Sequence, residues 1–345
     1  MSKLSKTELN VHNTEKLRRV MSALPKFCVS FFRGIEPHTS LLTRINYAYD
    51  LRLFFAFLEN ELGRSVDNMR PKDLECVSLT DLERYMEYLR LYYKDDDVRE
   101  NGEKGIARKV ASLRTFYKYH YNKEEINTNI ASRLQTPKIH EKPIMRLTHD
   151  EALRLLHVID SGEGLSDKQL SYHSHTRTRD LAIFTLFLTT GIRISELCAL
   201  DVSDLDIDGR SFKVLRKGGN EAILYFGDET AAALDNYLEE RKTRADYSLA
   251  SPLFLSMQGR RISVRAMQML AQKYARIAVP LKNISPHKLR STYGTLLYQN
   301  TGDIYLVADV LGHKDVNTTR KHYAAIDESQ RKRASRAVVL RRDDD

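Results

Sequence analysis

Residues 285–313 open on Ser285-Pro286-His287-Lys288-Leu289-Arg290 and close on Leu311-Gly312-His313. Ser285 followed by Pro286 is a helix start, a cap residue and then the proline that a first helical position tolerates. His287 and Arg290 stand three apart on that helix, so both project the same way. Gly312 stops a further helix, Ile304–Leu311, and leaves His313 just beyond its end. Each signal is weak alone, and together they put charged and titratable groups where helices begin and stop.

Working upstream, Leu181 to Leu188 reads as a buried helix ending in Thr189-Thr190-Gly191, and Arg193 follows directly. A charge placed there ordinarily has a specific partner, and Glu196 on the next turn offers an ion pair. Ser211–Leu215 and Ala222–Phe226 alternate like strands about the turn Gly218-Gly219-Asn220, so they form a β-hairpin with Lys217 at its tip, a position where lysines are usually solvated. Thr148 and Glu151 make a capping box that opens a helix carrying Leu153, Leu155, Leu156 and Ile159. Between Ser161 and Arg179 runs a polar stretch with His173 and His175, read as a surface loop in preference to a ligand pair. Downstream, Tyr323 lies in a short segment after Thr318-Thr319. Arg331 to Arg342 forms a basic tail closed by three aspartates.

The first half reads as helices. Leu41–Leu62 places Leu42, Ile45, Tyr49, Leu51, Phe54, Phe55 and Leu58 near the helical period and stops at Gly63. Leu79–Tyr93 repeats the pattern, and a polar loop, 94–105, follows. Ile106–Tyr121 sets Val110, Leu113 and Tyr117 on one side, with Arg108, Lys109, Arg114 and Lys118 largely elsewhere. That arrangement fits a helix lying against phosphates and equally a solvated face over an aromatic core. Leu134–Met145, with Pro137 and Pro143 and no periodicity, is an extended linker.

Composition narrows the class. The chain has 345 residues, 42% hydrophobic and 29% charged, enough for about two domains by the usual size of roughly 150 residues each. The stretch Leu181–Leu188 falls far short of the ~20 residues that cross a bilayer. Met1–Glu15 is polar, unlike a signal peptide. Cys28, Cys76 and Cys198 are widely spaced with no Cys-x-x-Cys, which argues against a disulfide framework or a cysteine zinc site and for a reducing cytoplasm. Lys plus Arg total 55 against 46 Asp plus Glu, a formal charge of +9, which favours a polyanionic partner.

In chain order, Arg193, Lys217, His287-x-x-Arg290, Leu311-Gly312-His313 and Tyr323 closely resemble the tyrosine recombinases, also called phage-type integrases. Their surroundings are similar as well: Thr190-Gly191-Ile192-Arg193-Ile194-Ser195-Glu196-Leu197, Ser285-Pro286-His287-Lys288-Leu289-Arg290, and Thr318-Thr319 ahead of the tyrosine. The likeness runs over residues 20–326, more loosely in the first half, where the Tyr49–Leu58 and Ile106–Tyr121 helices look like the family's core-binding domain. Two positions depart from it. Tyr323 follows His313 by ten residues where nine is common, although some conjugative-transposon integrases have ten. The hairpin reads Arg216-Lys217-Gly218 where a glycine usually precedes the lysine, so Lys217 is the matching position with a second cation beside it. His322 is outside the family pattern and reads as a solvated or phosphate-facing side chain.

The resemblance implies a mainly α (α+β) protein. A 1–19 extension would precede a helical, SAM-like core-binding domain at 20–135, a linker at 136–146 and a mixed α/β catalytic domain with a small hairpin sheet at 147–326. A helix or tail at 327–345, ending in Val338-Val339-Leu340, would dock on a neighbouring protomer. It also implies roles. Arg193 and Arg290 would hold the non-bridging oxygens of a pentacoordinate phosphorane, for which guanidinium forks suit the geometry. Tyr323 would be the nucleophile and His287 its proton acceptor. Lys217 would protonate the leaving 5′-oxygen, and His313 would bond a non-bridging oxygen. Arg108, Lys109, Arg114 and Lys118 would contact DNA.

The resulting 3′-phosphotyrosyl link keeps the ester's energy, so no metal and no cofactor is expected; the chain has neither a P-loop nor an acidic cluster at metal spacing. The implied partners are double-stranded DNA with paired recombination half-sites and a homotetramer on two such sites, with an accessory protein as an optional addition and no membrane. The process is integration and excision of DNA or resolution of chromosome or plasmid dimers. Alternatives with the same residues are a type IB topoisomerase-like nickase and a catalytically silent DNA clamp.

Overall fold

The computed structural model describes residues 6–94, 97–140, 145–216, 220–243, 248, 251–313 and 316, with backbone alone for 6–9 and 94. The chain divides into two compact units, Met1–Lys142 and Pro143–Asp345, and the division falls in the stretch with Pro137 and Pro143. The protein is mainly helical, with small antiparallel sheets.

The first unit comprises α1 (Lys6–Met21), α2 (Cys28–Gly34), α3 (Leu41–Asn60), α4 (Leu79–Tyr88), a hairpin of β1 (Leu91–Lys94) and β2 (Asp97–Glu100), and α5 (Glu103–Asn122). Ser40 caps α3 by accepting from the Thr43 N–H at 3.2 Å, and the helix buries Ile45, Ala48, Leu51, Phe54, Phe55 and Leu58, while Leu42 stays exposed. Aromatic rings fill the centre: Phe31 meets Phe116 edge-on at 5.1 Å, and Phe54 meets Tyr85 at 5.2 Å. Each buried phenylalanine contributes about 2–3 kcal/mol of transfer energy. Leu17 and Val20 of α1 join this core, so the packed unit begins upstream of residue 20.

One expectation fails here. The helix read as Leu79–Tyr93 stops at Tyr88, and the polar stretch after it holds a strand. Asn101 explains the change. Its Nδ2 donates to Leu89 O (2.7 Å) and its backbone N–H to Arg90 O (3.2 Å), occupying carbonyls that another helical turn would need. Leu91–Lys94 then pairs antiparallel with Asp97–Glu100.

His120 is fully buried at the end of α5, edge-on to Phe116 at 4.6 Å, with Nδ1 bonded to Glu125 Oε2 at 2.5 Å. Nε2 has no partner among the described residues. Burial pushes the imidazole below its ordinary value against the pull of Glu125, because a second N–H would face no acceptor. The unfolded chain therefore binds the proton more readily, and stability is complete above pH ~6.5 and declines as pH falls towards the lowered folded value. Thermal melts at pH 7.5 and 5.5 should show a larger drop in Tm for the wild type than for His120→Phe, which lacks the titrating ring.

The second unit comprises α6 (His149–Ser161), α7 (Asp167–His173), α8 (Arg177–Thr190), α9 (Ile194–Ala199), β3 (Leu205–Asp206), β4 (Ser211–Leu215), β5 (Glu221–Tyr225), α10 (Asp228–Lys242), α11 (Val264–Ala278), α12 (Pro286–Thr301) and α13 (Ile304–Leu311). Helix α8 is buried around its whole circumference and packs on α6, α10 and α12. The sheet order is β3-β4-β5, antiparallel, with Phe212 opposite Leu224 on the inner face. Thr148 and Glu151 form the expected capping box, and Lys282 Nζ donates to the same carboxylate at 2.6 Å. The polar stretch after Ser161 contains α7 and is not simply a surface loop. His173 is buried with Nε2 on Ile159 O at 2.7 Å, a satisfied core histidine. Among the described residues no group of His, Cys, Asp and Glu is placed to hold a metal, and no helix is long and apolar enough to cross a membrane.

Candidate active site

Helix α8 ends on Gly191 in the left-handed conformation (φ 59°). Space there is as restrictive as the dihedral: a Cβ would lie 2.4 Å from the Tyr293 ring and 2.9 Å from Leu311. The turn sets Arg193 at the start of α9. Its N–H donates to Glu196 Oε2 (3.0 Å) and its Nη1 to Glu196 Oε1 (2.7 Å), on a carboxylate only 5% exposed. The local ion pair is present, but it does not exhaust the guanidinium. Nη2 also reaches Gly312 O at 2.9 Å and Leu311 O at 3.3 Å.

The end of α13 supplies those acceptors. Ala308 O accepts from the His313 N–H (2.9 Å) and Asp309 O from the Gly312 N–H (2.8 Å), around Gly312 at φ 61°. Among the described residues, this crossed closure leaves the carbonyls of Val310, Leu311 and Gly312 outside the helical ladder. Arginines take all three. Arg216 Nη2 donates to Val310 O at 3.0 Å, and Arg193 to Leu311 and Gly312. Arg290, only 6% exposed, donates Nη2 to Leu311 O and Nη1 to Gly191 O at 2.6 Å. Partial negative charge at a helix C-terminus favours cations, and here it gathers three of them despite their mutual repulsion.

His287 is exposed on α12, one turn before Arg290, and half-buried His313 follows the helix stop to which the arginines are bonded. Arg193, Arg290 and the His313 backbone are thus brought together through the end of α13. Lys217 and Tyr323 lie outside the described residues, as do Thr318, Thr319, His322 and the tail 327–345. Glu196 is the partner that its spacing from Arg193 offers, whereas the carbonyls of Val310, Leu311 and Gly312 are acceptors that no motif advertises. Delocalised, always-charged guanidiniums converging from separate elements suit the geometry of an anion with several oxygens.

Residues 145–330 match the phage integrase family, and residues 30–124 match the phage integrase N-terminal SAM-like domain. A tyrosine recombinase XerC of Caldanaerobacter subterraneus subsp. tengcongensis is 35% identical over 302 residues, covering 84% of this chain and 79% of its own. The chain belongs to the phage integrase family of tyrosine recombinases. It is accordingly a DNA strand-exchange enzyme acting in site-specific recombination. A second XerC, of Thermodesulfovibrio yellowstonii, is 33% identical over 79% of this recombinase and 82% of its own length. Both relatives are recombinases, which does not favour the nickase or the silent clamp. The Tn1549 transposon integrase in complex with a circular-intermediate DNA has the same fold (TM-score 0.66, 19% identity, 90% of this chain and 99% of that one). So has the XerH site-specific recombinase bound to its difH substrate (TM-score 0.62, 19% identity, 86% and 80%).

The recombinase uses much of the basic side of α5 internally. Arg108 forks onto buried Asp50, which Ser112 also reaches at 2.6 Å, while keeping half its side chain exposed. Lys109 holds Asn101 Oδ1 at 2.7 Å, and partial burial lowers its ammonium's affinity for the proton. Arg114 donates to Ala131 O and Leu134 O. Lys118 is exposed.

Gly191→Ala combines a left-handed alanine with a methyl driven into Tyr293. It should destabilise the recombinase by about 2–4 kcal/mol, from backbone strain plus overpacking. Urea denaturation checks this as a lower midpoint at unchanged slope.

Proposed function

We propose that the recombinase cleaves DNA by attack of Tyr323 Oη on a scissile phosphorus. The Tyr–O–P bond forms as the P–O5′ bond breaks, giving a 3′-phosphotyrosyl link and a free 5′-hydroxyl. Arg193 and Arg290 hold the non-bridging oxygens, His313 adds a hydrogen bond, His287 accepts the phenol's proton, and Lys217 delivers a proton to the leaving O5′. Rejoining is the reverse attack by a 5′-hydroxyl, so the cycle draws on no nucleotide or metal.

The observation that carries this reading is the convergence of Arg193 and Arg290 on one helix end, directly before His313. DNA occupies the site in the reading, and the carbonyls of Leu311 and Gly312 keep both forks in place before it arrives. The partners we assign are double-stranded DNA with paired half-sites and three further copies of the chain, joined through residues 327–345, with an accessory protein optional. Exposed Lys118 and half-exposed Arg108 contact backbone phosphates from α5, with Lys109 and Arg114 lending charge beside them. The compartment is the cytoplasm, in keeping with three free cysteines and a charge of +9. The linker 136–146 separates the core-binding residues 20–135 from the catalytic residues 147–326.

Covalent trapping tests the proposal. The protein is incubated with fragmented DNA from its source cell, denatured, and the DNA that stays attached is sequenced. Attachment through a 3′ end at recurring sites is the expected outcome, and tight binding without attachment refutes it.

A further inference from the structure

Arg216 stands where the family usually has glycine, directly before the lysine to which we assign the leaving-group proton. Its backbone N–H donates to Asn220 O at 2.8 Å, closing the base of the β4–β5 turn. Its side chain leaves the hairpin altogether and donates Nη2 to Val310 O at 3.0 Å, at the end of α13. The guanidinium lies against Gly312: a Cβ there would come within 1.9 Å of Nη1 and 2.4 Å of Cζ. Arg216 Nε is buried with no partner among the described residues. A turn-flanking arginine that gives up hydration at one nitrogen is packed for a purpose other than solubility. The same helix end holds Arg193 and Arg290, so one side chain bonds the base of the hairpin turn to the element on which the phosphate receptor is assembled.

We infer that Arg216 is a positioning residue that ties the β4–β5 turn to the end of α13, fixing where Lys217 meets the leaving oxygen. This rests on the general-acid role proposed for Lys217. Besides the strand pairing, the Arg216–Val310 bond gives the base of the turn a second, tertiary anchor at the residue next to Lys217 in sequence.

The test exploits the leaving group. A nicked duplex built on the trapped sequence is made with either oxygen or sulfur at the 5′-bridging position of the scissile phosphate. A thiolate, whose conjugate acid has a pKa of about 8.5, departs without a proton, whereas an alkoxide needs one. Single-turnover cleavage and DNA affinity are measured for wild type, Arg216→Gly, Arg216→Lys, Lys217→Ala and Arg193→Ala. Arg216→Gly should cleave the oxygen substrate roughly 10- to 100-fold more slowly at unchanged affinity, a part of the ~10²–10⁴ that general acid catalysis supplies. It should cleave the sulfur substrate about as fast as wild type, as should Lys217→Ala. Arg216→Lys should recover part of the loss, and Arg193→Ala should stay slow on both, which separates a positioning defect from damage to the phosphate receptor or the fold. If Lys217→Ala is rescued by sulfur and Arg216→Gly is not, the inference is overturned while the role of Lys217 stands. Failure of sulfur to rescue Lys217→Ala overturns both. Wild-type cleavage of the oxygen substrate by Arg216→Gly also overturns the inference.

Discussion

Tyr323→Phe is expected to abolish covalent attachment to DNA while leaving DNA affinity within about two-fold of wild type. The substitution removes one oxygen and keeps the ring, so it deletes the proposed nucleophile without changing the charge. An unperturbed phenol has a pKa of about 10, so the proposed mechanism requires His287, helped by Arg193 and Arg290, to draw off its proton near neutral pH. Gel mobility after denaturation reads the result. Attachment by the variant would remove Tyr323 from the mechanism and leave the fold assignment standing.

Arg290→Ala is the second large effect, a fall in cleavage rate of at least ~10³-fold, since loss of one preorganised donor to a transition-state oxyanion costs about 10²–10³ and a guanidinium supplies more than one. Arg290 also has a structural task that Arg193 shares only in part. It is 6% exposed and bridges Gly191 O to Leu311 O, joining the end of α8 to the end of α13. Alanine would remove the Arg290 donor from Gly191 O and leave Leu311 O to Arg193 Nη2 alone, and a buried group left unsatisfied costs about 1–3 kcal/mol. The variant should therefore melt earlier as well as cleave slowly. Arg290→Lys separates the two effects. An ammonium can satisfy one carbonyl and restore part of the stability, but it lacks the fork and should remain at least 10²-fold slow in single-turnover cleavage.

Local chemistry made much of the fold legible. Ser285-Pro286 opens α12, Thr148 and Glu151 open α6, and Gly191 and Gly312 stop α8 and α13, each where backbone preference or a cap requires it. The hairpin strands follow from alternation that puts Phe212 and Leu224 inside. The reading went wrong where a distant group competed with the local pattern. The apolar period after Leu79 runs on past Tyr88, but Asn101 takes the carbonyls of Leu89 and Arg90 and turns the chain into a hairpin. His173 looked like a loop residue because its acceptor, Ile159 O, belongs to the preceding helix.

The same division runs through the site. Arg193, His287, Arg290 and the Leu311-Gly312-His313 stop stand out by residue type and order, and the proposed phosphoryl transfer needs fixed guanidiniums of that kind. The basic face of α5 was ambiguous in sequence for a physical reason: charge can serve phosphate or a buried carboxylate, and Asp50 claims Arg108 from two helices away. By itself, then, the sequence determined the helix ends marked by caps and glycine stops, the core faces and the candidate side chains of the site, because caps, periodicity and side-chain chemistry act over a few residues. Only the tertiary structure decided that the carbonyls of Val310, Leu311 and Gly312 are the point on which Arg193, Arg216 and Arg290 meet. Those acceptors lie 119 residues from Arg193 and 94 from Arg216. A backbone carbonyl is the same group in every residue, so nothing in the amino-acid order marks the ones left open at a helix end until the packed chain brings a donor to them.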